Sequence, residues 1–291
     1  MEQTGGTWRM VLAMALSGTI GVFVLISGQS PQTVVWYRCL LGGAALLAWL
    51  AWRGGWKRLD RRAWAWLVLG GVALIANWLC LFAAYQRSSI SLATVIYQMQ
   101  PFILLLLTAL VRRELPAWHK LPWLGLALLG VALAAGLAPA HLTLGGGAVL
   151  ALAAAFWYAV FTLATRQLGA YAPAQIAGLQ LMLGVVVLAP LANWSLAAMP
   201  ARAWGSLLVL GLVHTGLVYN LMYAAFQRLR APAIANLSFL YPLVAVAADW
   251  LCFGTQLTAL QLAGMGVILA SVLASERAPF QVASRLIRSE L

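Results

Sequence analysis

The chain has 291 residues, of which 64% are hydrophobic and 8% are charged, and its formal net charge is +12. Soluble proteins average about 45–50% apolar and about 25% charged residues. This composition, with a mean hydropathy of +0.91, therefore excludes a water-soluble globular protein. The net charge alone would fit a nucleic-acid-binding protein. The positions of the basic residues are therefore needed to interpret this charge.

Continuous apolar runs predict ten membrane-spanning helices, because a helix needs about 20 mostly apolar residues to cross a bilayer. The runs are rich in Leu and Ala and do not alternate with polar residues, which favours helices over the strands of a barrel. The fold class is therefore an all-α membrane protein. In chain order, the spans are expected at residues 8–26, 32–52, 64–85, 91–111, 121–137, 145–166, 174–197, 204–226, 231–253 and 257–274.

The second half of the chain repeats the first. At an offset of 141 or 142 residues, the matching segments are 30–42 with 172–184, 83–87 with 224–228, and Pro101 with Pro242. Each copy holds five spans, and an odd number makes the second copy enter the membrane from the opposite side. We therefore expect two inverted five-helix repeats, at residues 8–137 and 145–274, followed by a cytoplasmic tail at residues 275–291. Inverted repeats of this kind are typical of transporters.

The basic residues predict the orientation of the spans. With the N-terminus in the cytoplasm, fifteen of the eighteen Lys and Arg residues fall in cytoplasmic segments and two, Arg87 and Arg202, in outer loops. Such a bias places both termini in the cytoplasm. The positive charge thus indicates membrane topology and argues against a nucleic-acid surface.

Two prolines interrupt long apolar runs at equivalent positions, Pro101 in the fourth span and Pro242 in the ninth. A mid-helix proline lacks the N–H that would bond the carbonyl four residues earlier, here those of Tyr97 and Ser238. A packing kink satisfied by a neighbouring helix is one interpretation. The other is a substrate site, since a carbonyl released at membrane depth needs a polar partner.

Polar and aromatic side chains at similar depth favour the substrate site, which inverted repeats place near the bilayer midplane. Aromatic faces would stack on an apolar side chain or hold an ammonium group, and amides would bind a polar end. Asn77 and Thr19 are among the polar groups at this depth. The predicted substrate-binding residues are Trp78, Tyr97, Gln100, Trp157, Tyr158, His214, Tyr219, Asn236 and Ser238, with Pro101 and Pro242 as the residues at which the helices kink.

Two charged residues lie inside spans, Arg38 in the second and Asp249 in the ninth. Each costs about 2.5–3.5 kcal/mol on insertion scales, so each needs a partner or water. We consider both as coupling candidates, either paired with each other or, for Asp249, simply hydrated at the outer surface. Asp249 and His214 are the candidate proton carriers of the spans, although a neutral, hydrogen-bonded core residue is the favoured interpretation of His214.

The motifs of hydrolytic and metal chemistry are absent from the sequence. It has no GxxxxGK[ST], HExxH or GxSxG pattern, and its three histidines are far apart. We therefore expect neither an enzyme nor a cofactor or metal. Small residues allow close helix packing, which is compatible with a monomer or a weak homodimer. They are Gly125 and Gly130 in the fifth span and Gly264, Gly266 and Ala270 in the tenth.

Ten spans in two five-span copies, with a proline in the fourth and ninth, resemble the EamA-type drug/metabolite transporters. Residues 152–158 (LAAAFWY) and 266–270 (GVILA) agree with this family, and the resemblance covers residues 8–274. It implies a cavity lined by spans one, three, four, six, eight and nine. It also implies alternating access and export across the bacterial inner membrane. Within the family, the sequence is most similar to the aromatic amino acid exporters.

The combined expectation is an inner-membrane exporter of aromatic and other neutral amino acids, with the lipid bilayer and a small-molecule substrate as its partners. The alternatives are an exporter of cationic drugs or other amphipathic metabolites, a membrane receptor or scaffold that does not transport, and an intramembrane enzyme. The missing catalytic motifs argue against the enzyme. Whether transport is coupled to protons stays open at this point.

Overall fold

The computed structural model describes residues 2–87, 90–113, 118–134, 145–192, 199–253 and 258–277, and over these ranges the chain forms helices and no strand. Eight of its helical segments are long and apolar enough to cross a membrane, and two shorter apolar helices accompany them. The predicted all-α membrane architecture is confirmed at this level.

Fourteen α-helices, α1 to α14, cover most of the described residues. In order they are Glu2–Gly18, Ile20–Ser27, Pro31–Arg53, Arg61–Arg87, Ile90–Tyr97, Gln100–Arg112, Leu121–Ala134, Gly146–Arg166, Pro173–Leu188, Ala201–Gly211, Val218–Arg228, Ala231–Leu237, Leu240–Phe253 and Ala259–Arg277. A π-helical segment, Leu212–Leu217, joins α10 to α11. Short 3₁₀ turns precede α7 and follow α9.

Four of the predicted spans are irregular rather than continuous helices. The first is broken at Thr19, between α1 and α2, and the eighth contains the π-helical segment. The fourth and ninth are interrupted by two-residue turns before α6 and α13. Helix irregularity at membrane depth is tolerated where the freed backbone groups find other partners, and it concentrates at functional sites.

The two prolines are placed differently from the prediction. Pro101 is the second residue of α6 and Pro242 is the third residue of α13, so each lies in the first turn of a new helix, where a missing N–H costs little. The Ser238 carbonyl, expected to be free, accepts a 3.3 Å hydrogen bond from the Tyr241 N–H. The spans are therefore broken at these points, and not merely kinked.

The fifth and tenth predicted spans are shorter than the others. Their apolar helices are Leu121–Ala134 and Ala259–Ala274, against the predicted 121–137 and 257–274. Residues 135–144 and 254–257 lie outside the described part of the chain, as does the predicted tail beyond residue 277. Helices α7 and α14 pack mainly against each other.

Helix ends follow from local sequence. Ser30 caps α3, because its side chain accepts from the Thr33 N–H, and Pro31 fits the first helical position. At the other end Gly54 and Gly55 have φ values of +72° and +95°. Residues with a side chain rarely adopt that backbone conformation, so the two glycines let the chain turn towards α4.

The helix packing has the same pattern when the two halves are exchanged. Helix α3 packs against its counterpart α9, and α7 packs against its counterpart α14. The contact of α4 with α8 corresponds to those of α1 with α11 and of α2 with α10. The repeats therefore interlock, and residues from both halves meet in the centre.

Outward-facing side chains are large and apolar. Leu110, Val186 and Leu251 are more than 70% exposed, as is Trp52 near the end of α3. A surface covered in this way needs lipid as its solvent. Multiple apolar helices with such a surface make the chain a multi-pass membrane protein.

Candidate substrate-binding site

Five aromatic rings form a connected series in the centre of the bundle, which we call the central aromatic cluster. Trp78 meets Tyr219 at 5.8 Å between ring centroids, and Tyr219 meets Phe161 at 6.3 Å. Phe161 in turn meets Tyr158 at 5.8 Å, and Tyr158 meets Tyr97 at 6.0 Å. Most of these pairs are edge-to-face, the geometry that aromatic quadrupoles favour.

The cluster joins both halves of the chain. Trp78 and Tyr97 come from α4 and α5, and Tyr158, Phe161 and Tyr219 come from α8 and α11. Trp78 and Tyr219 are 141 residues apart and thus occupy equivalent positions in the two copies. Their contact marks the point where the repeats meet. Four of the nine predicted substrate-binding residues are brought together here.

Phe161 is fully buried and was not predicted as a site residue. It also contacts Tyr223 and Phe226, so it supports the cluster from the side of the core. An apolar ring in an apolar span carries no signal that separates it from lipid-facing rings, and the sequence therefore did not reveal it.

Asn77 fixes one end of the cluster. Its side-chain amide donates to the Tyr97 hydroxyl at 3.2 Å and to the Ala154 carbonyl at 2.8 Å. The Tyr158 hydroxyl lies 3.7 Å from the Met222 sulfur, a weak acceptor. These contacts hold Tyr97 in place at the end of α5, just before the break, and Tyr158 in place on α8.

That break brings two glutamine side chains together. The Gln100 side-chain amide donates to the side-chain oxygen Oε1 of Gln98 at 3.2 Å. Both residues are buried, and within the described residues Gln98 Nε2 and Gln100 Oε1 have no hydrogen-bond partner. A donor and an acceptor are thus left unused beside Tyr97, and buried polar groups of this kind are costly unless a ligand or water satisfies them.

His214 connects two irregular segments. Its Nδ1 lies 3.3 Å from the Val209 carbonyl, and its Nε2 lies 2.8 Å from the Thr19 hydroxyl at the break between α1 and α2. A carbonyl can only accept, so Nδ1 carries a proton. The Thr19 hydroxyl has one proton and also lies 2.8 Å from the Leu16 carbonyl oxygen, so it can donate either to that carbonyl or to Nε2 of neutral His214. Phe23 packs on the imidazole ring, with the centroids 5.0 Å apart.

The remaining predicted residues face other partners. The Asn236 amide donates to the Val272 carbonyl at 3.0 Å, and the Ser238 hydroxyl to the Ala235 carbonyl at 2.7 Å. Trp157 is half-buried, and its ring contacts Phe156, which is 41% exposed. Within the part of the chain that the structure describes, neither Trp157 nor Ser238 makes a ring or hydrogen-bond contact with the central aromatic cluster.

Arg38 lies beside the cluster. It is 3% exposed, its Nε donates to the Thr215 hydroxyl at 3.0 Å, and its guanidinium carbon is 4.9 Å from the centroid of the Trp78 ring. Thr215, in the π-helical segment, donates in turn to the Leu210 carbonyl at 2.7 Å. The side chain of Asp249, the predicted partner of Arg38, lies outside the described residues.

A glycine makes the approach of Arg38 to the π-helical segment possible. A Cβ atom on Gly42 would lie 2.7 Å from Thr215 Cγ2 and 2.8 Å from the Gly211 carbonyl oxygen. Both distances are shorter than side chains tolerate, so α3 can lie against this segment only with glycine at position 42. Arg38, one turn earlier, then reaches Thr215 and Trp78.

The arrangement is suited to binding a small molecule. Rings, unused amide groups and one guanidinium surround the junction of the repeats, whereas no group of three or more metal-ligating side chains exists among the described residues. Such a site can hold an apolar body and a polar or charged end of a small molecule.

Several known proteins are similar to this chain in sequence, and a solved structure is similar to it in fold. The transporter YxxF of Bacillus subtilis, which is uncharacterized, is 29% identical over 91% of this chain and 87% of its own. A probable amino-acid metabolite efflux pump of Salmonella typhimurium is 31% identical over 62% of this chain and 65% of its own. The pseudopaline exporter CntI of Pseudomonas aeruginosa is 27% identical over 92% and 95%.

One crystal structure superimposes with a TM-score of 0.79 and covers 93% of this chain and 96% of its own, at 17% identity, which supports the fold alone. The sequence profile of the EamA-like transporter family matches twice, at residues 5–136 and 145–275. Matches in both halves cover nearly the whole chain, and the protein belongs to the EamA-like transporter family.

Proposed function

We propose that the protein exports aromatic and other neutral amino acids across the bacterial inner membrane by alternating access. The observation that carries this proposal is the central aromatic cluster, because its rings come from both repeats and lie beside broken helices. An apolar or aromatic side chain would pack against Trp78, Tyr97, Tyr158 and Tyr219. The probable amino-acid metabolite efflux pump among its relatives is consistent with this substrate class.

The transport cycle that we propose uses the repeat. Two inverted five-helix repeats, residues 8–137 and 145–274, rock about the site, with both termini in the cytoplasm. The breaks before α6 and α13 allow half of each span to move while the other half stays packed. Trp157, Gln100, His214, Asn236 and Ser238 keep their predicted roles as further substrate contacts, and Pro101 and Pro242 keep theirs at the breaks.

Flux into liposomes that contain the pure protein tests this function. Labelled tryptophan, phenylalanine and threonine are each expected to exchange across the membrane. Tyr219→Ala should reduce this flux at least tenfold, whereas Phe156→Ala, which removes an outward-facing ring next to the site, should not. Flux of a lipophilic cation without flux of any amino acid would favour the drug exporter. The absence of all flux would favour a receptor or scaffold.

A further inference from the structure

Arg38 holds a positive charge inside the bundle with most of its hydrogen-bonding capacity unused. A guanidinium has five N–H donors, and the Nε donor is bound to Thr215. The four N–H bonds of the two terminal nitrogens have no acceptor among the described residues. A buried cation is strongly destabilising unless an anion or several acceptors compensate it. Its environment therefore calls for a negatively charged partner.

The second repeat shows what a purely structural residue does at the same position. Gln180 is the counterpart of Arg38, because residues 172–184 match residues 30–42 without a gap. The Gln180 amide donates to the Leu67 carbonyl at 3.2 Å, and its oxygen accepts from the Tyr223 hydroxyl. A neutral amide thus suffices to link the helices there. The charge of Arg38 goes beyond what packing at this position needs.

The position of Arg38 also points to the substrate. Its guanidinium lies over Trp78, and Trp78 contacts Tyr219 at the junction of the repeats. An anion bound to the terminal nitrogens would therefore sit at the edge of the central aromatic cluster. A molecule with a carboxylate two or three bonds from an aromatic ring fits this arrangement, since the ring reaches the cluster while the carboxylate meets the guanidinium.

We propose that Arg38 binds the carboxylate of the transported molecule and thereby makes the site selective for carboxylates over amides and amines. This inference rests on the proposed function, since it assigns a role at the same site. It also argues against cationic drugs, because an amine placed at the cluster would meet a like charge. The α-amino group of an amino acid is not needed for this contact.

Transport of three matched compounds tests the proposal: phenylalanine, 3-phenylpropionate, which lacks the amine, and phenylalaninamide, which lacks the carboxylate. The wild-type protein should transport both carboxylates in preference to the amide by roughly 10- to 100-fold, the range expected for hydrogen bonds to charged groups. Arg38→Gln, which copies Gln180, should remove this preference. A preference that survives in Arg38→Gln, or that is missing in the wild type, would overturn the proposal.

Two further variants separate substrate binding from structural support. Arg166→Gln removes another arginine, whose Nη2 donates to the Leu229 carbonyl at 3.2 Å, and should keep the preference for carboxylates. Thr215→Val removes the hydrogen bond of Arg38 and leaves its charge, so the preference should persist even if the flux falls. If Thr215→Val abolishes the preference as Arg38→Gln does, Arg38 acts by supporting the π-helical segment.

Asp249 is the one acidic residue that the sequence places within a predicted span, and it is the rival partner for Arg38. If the two formed a permanent ion pair, the wild type would have no preference for carboxylates, and Asp249→Asn would create one. We expect the wild-type preference to be unchanged in Asp249→Asn. Appearance of the preference only in this variant would contradict a role of Arg38 in substrate binding.

A binding measurement distinguishes failure of this inference from failure of the proposed function. In detergent, 3-phenylpropionate should raise the thermal unfolding temperature of the wild type and of Arg166→Gln, but not of Arg38→Gln. This result with no flux of any compound would support the carboxylate site and reject the exporter. Amino acid flux together with an equal shift in Arg38→Gln would support the exporter and reject the site.

Discussion

Single polar side chains hold the centre of this protein together where the helices are interrupted. Asn77 bonds groups of α5 and α8 from its place on α4, and Arg38 bonds the π-helical segment from α3. In a bundle surrounded by lipid there is little hydrophobic force between helices, so such hydrogen bonds contribute to specificity as well as to stability. The loss of one should therefore be measurable.

Replacing Asn77 tests this at the level of one residue. Asn77→Ala removes two buried hydrogen bonds, one to the Tyr97 hydroxyl and one to the Ala154 carbonyl, which also accepts within α8, so it should lower the free energy of unfolding by about 1–3 kcal/mol. Tyr97→Phe removes only the hydroxyl and leaves the 2.8 Å bond to Ala154, so it should cost less. Thermal unfolding in detergent checks both variants. An equal loss in the two would show that the bond to Ala154 contributes nothing.

Residue types at the site could be predicted from the sequence, whereas their partners could not. Aromatic and amide residues at span depth are visible in the sequence, and four of the predicted rings do meet. The phase of an apolar helix does not distinguish lipid from core, because both favour the same side chains. Trp157 and Tyr158 are adjacent in the sequence, and for this reason both are equally plausible as site residues. In the structure, Tyr158 belongs to the central aromatic cluster, whereas Trp157 contacts Phe156.

At the scale of helices, the sequence shows only some of the places where a membrane-spanning helix is interrupted. In the sequence, Pro101 and Pro242 predict a kink in the fourth and ninth spans, whereas the structure breaks both spans before α6 and α13. The π-helical segment from Leu212 to Leu217 has no proline, and it arises where His214 and Thr215 bond carbonyls five residues earlier. Such a segment depends on tertiary contacts with Thr19 and Arg38, which a single sequence does not display.

Helices α7 and α14 offer a matched test of close packing. A Cβ atom on Gly264 would lie 2.6 Å from the Ala134 backbone nitrogen, whereas one on Gly266 would meet nothing within 4 Å. Gly264→Ala should therefore separate the two helices and destabilise the protein by about 1–3 kcal/mol, the usual cost of overpacking. Gly266→Ala should be neutral or slightly stabilising, since alanine favours the helix.

Thermal unfolding of Gly264→Ala and Gly266→Ala measures the difference in their stability. Two glycines of α7, Gly130 and Gly125, offer the same comparison. A Cβ atom on Gly130 would lie 2.9 Å from the Gly264 carbonyl oxygen, whereas one on Gly125 would meet nothing within 4 Å. Equal stability of Gly264→Ala and Gly266→Ala would refute the packing of α7 against α14. These glycines pack two helices of one chain, so they are not by themselves evidence for a dimer.

For the whole molecule, the internal repeat was the most informative feature of the sequence. It predicted two copies, and the family profile matches once in each half of the chain, at residues 5–136 and 145–275. The exchange symmetry of the helix contacts follows from it, as does the contact of Trp78 with Tyr219. The orientation in the membrane is a separate inference, because it depends on the distribution of Lys and Arg and not on the packing of the helices.

Equivalent arginines give a direct test of the inverted arrangement. Arg61 begins α4 and Arg202 lies at the start of α10, 141 residues later, and both are exposed. If the repeats are inverted, these equivalent positions face opposite sides of the membrane, with Arg61 in the cytoplasm.

In a protein whose three native cysteines are replaced by serine, Arg61→Cys and Arg202→Cys are labelled separately with a membrane-impermeant maleimide. In intact spheroplasts only Arg202→Cys should react, and Arg61→Cys should react after lysis. Reaction of both from the same side would show that the copies run parallel, and the site could then no longer lie on a two-fold axis in the membrane plane.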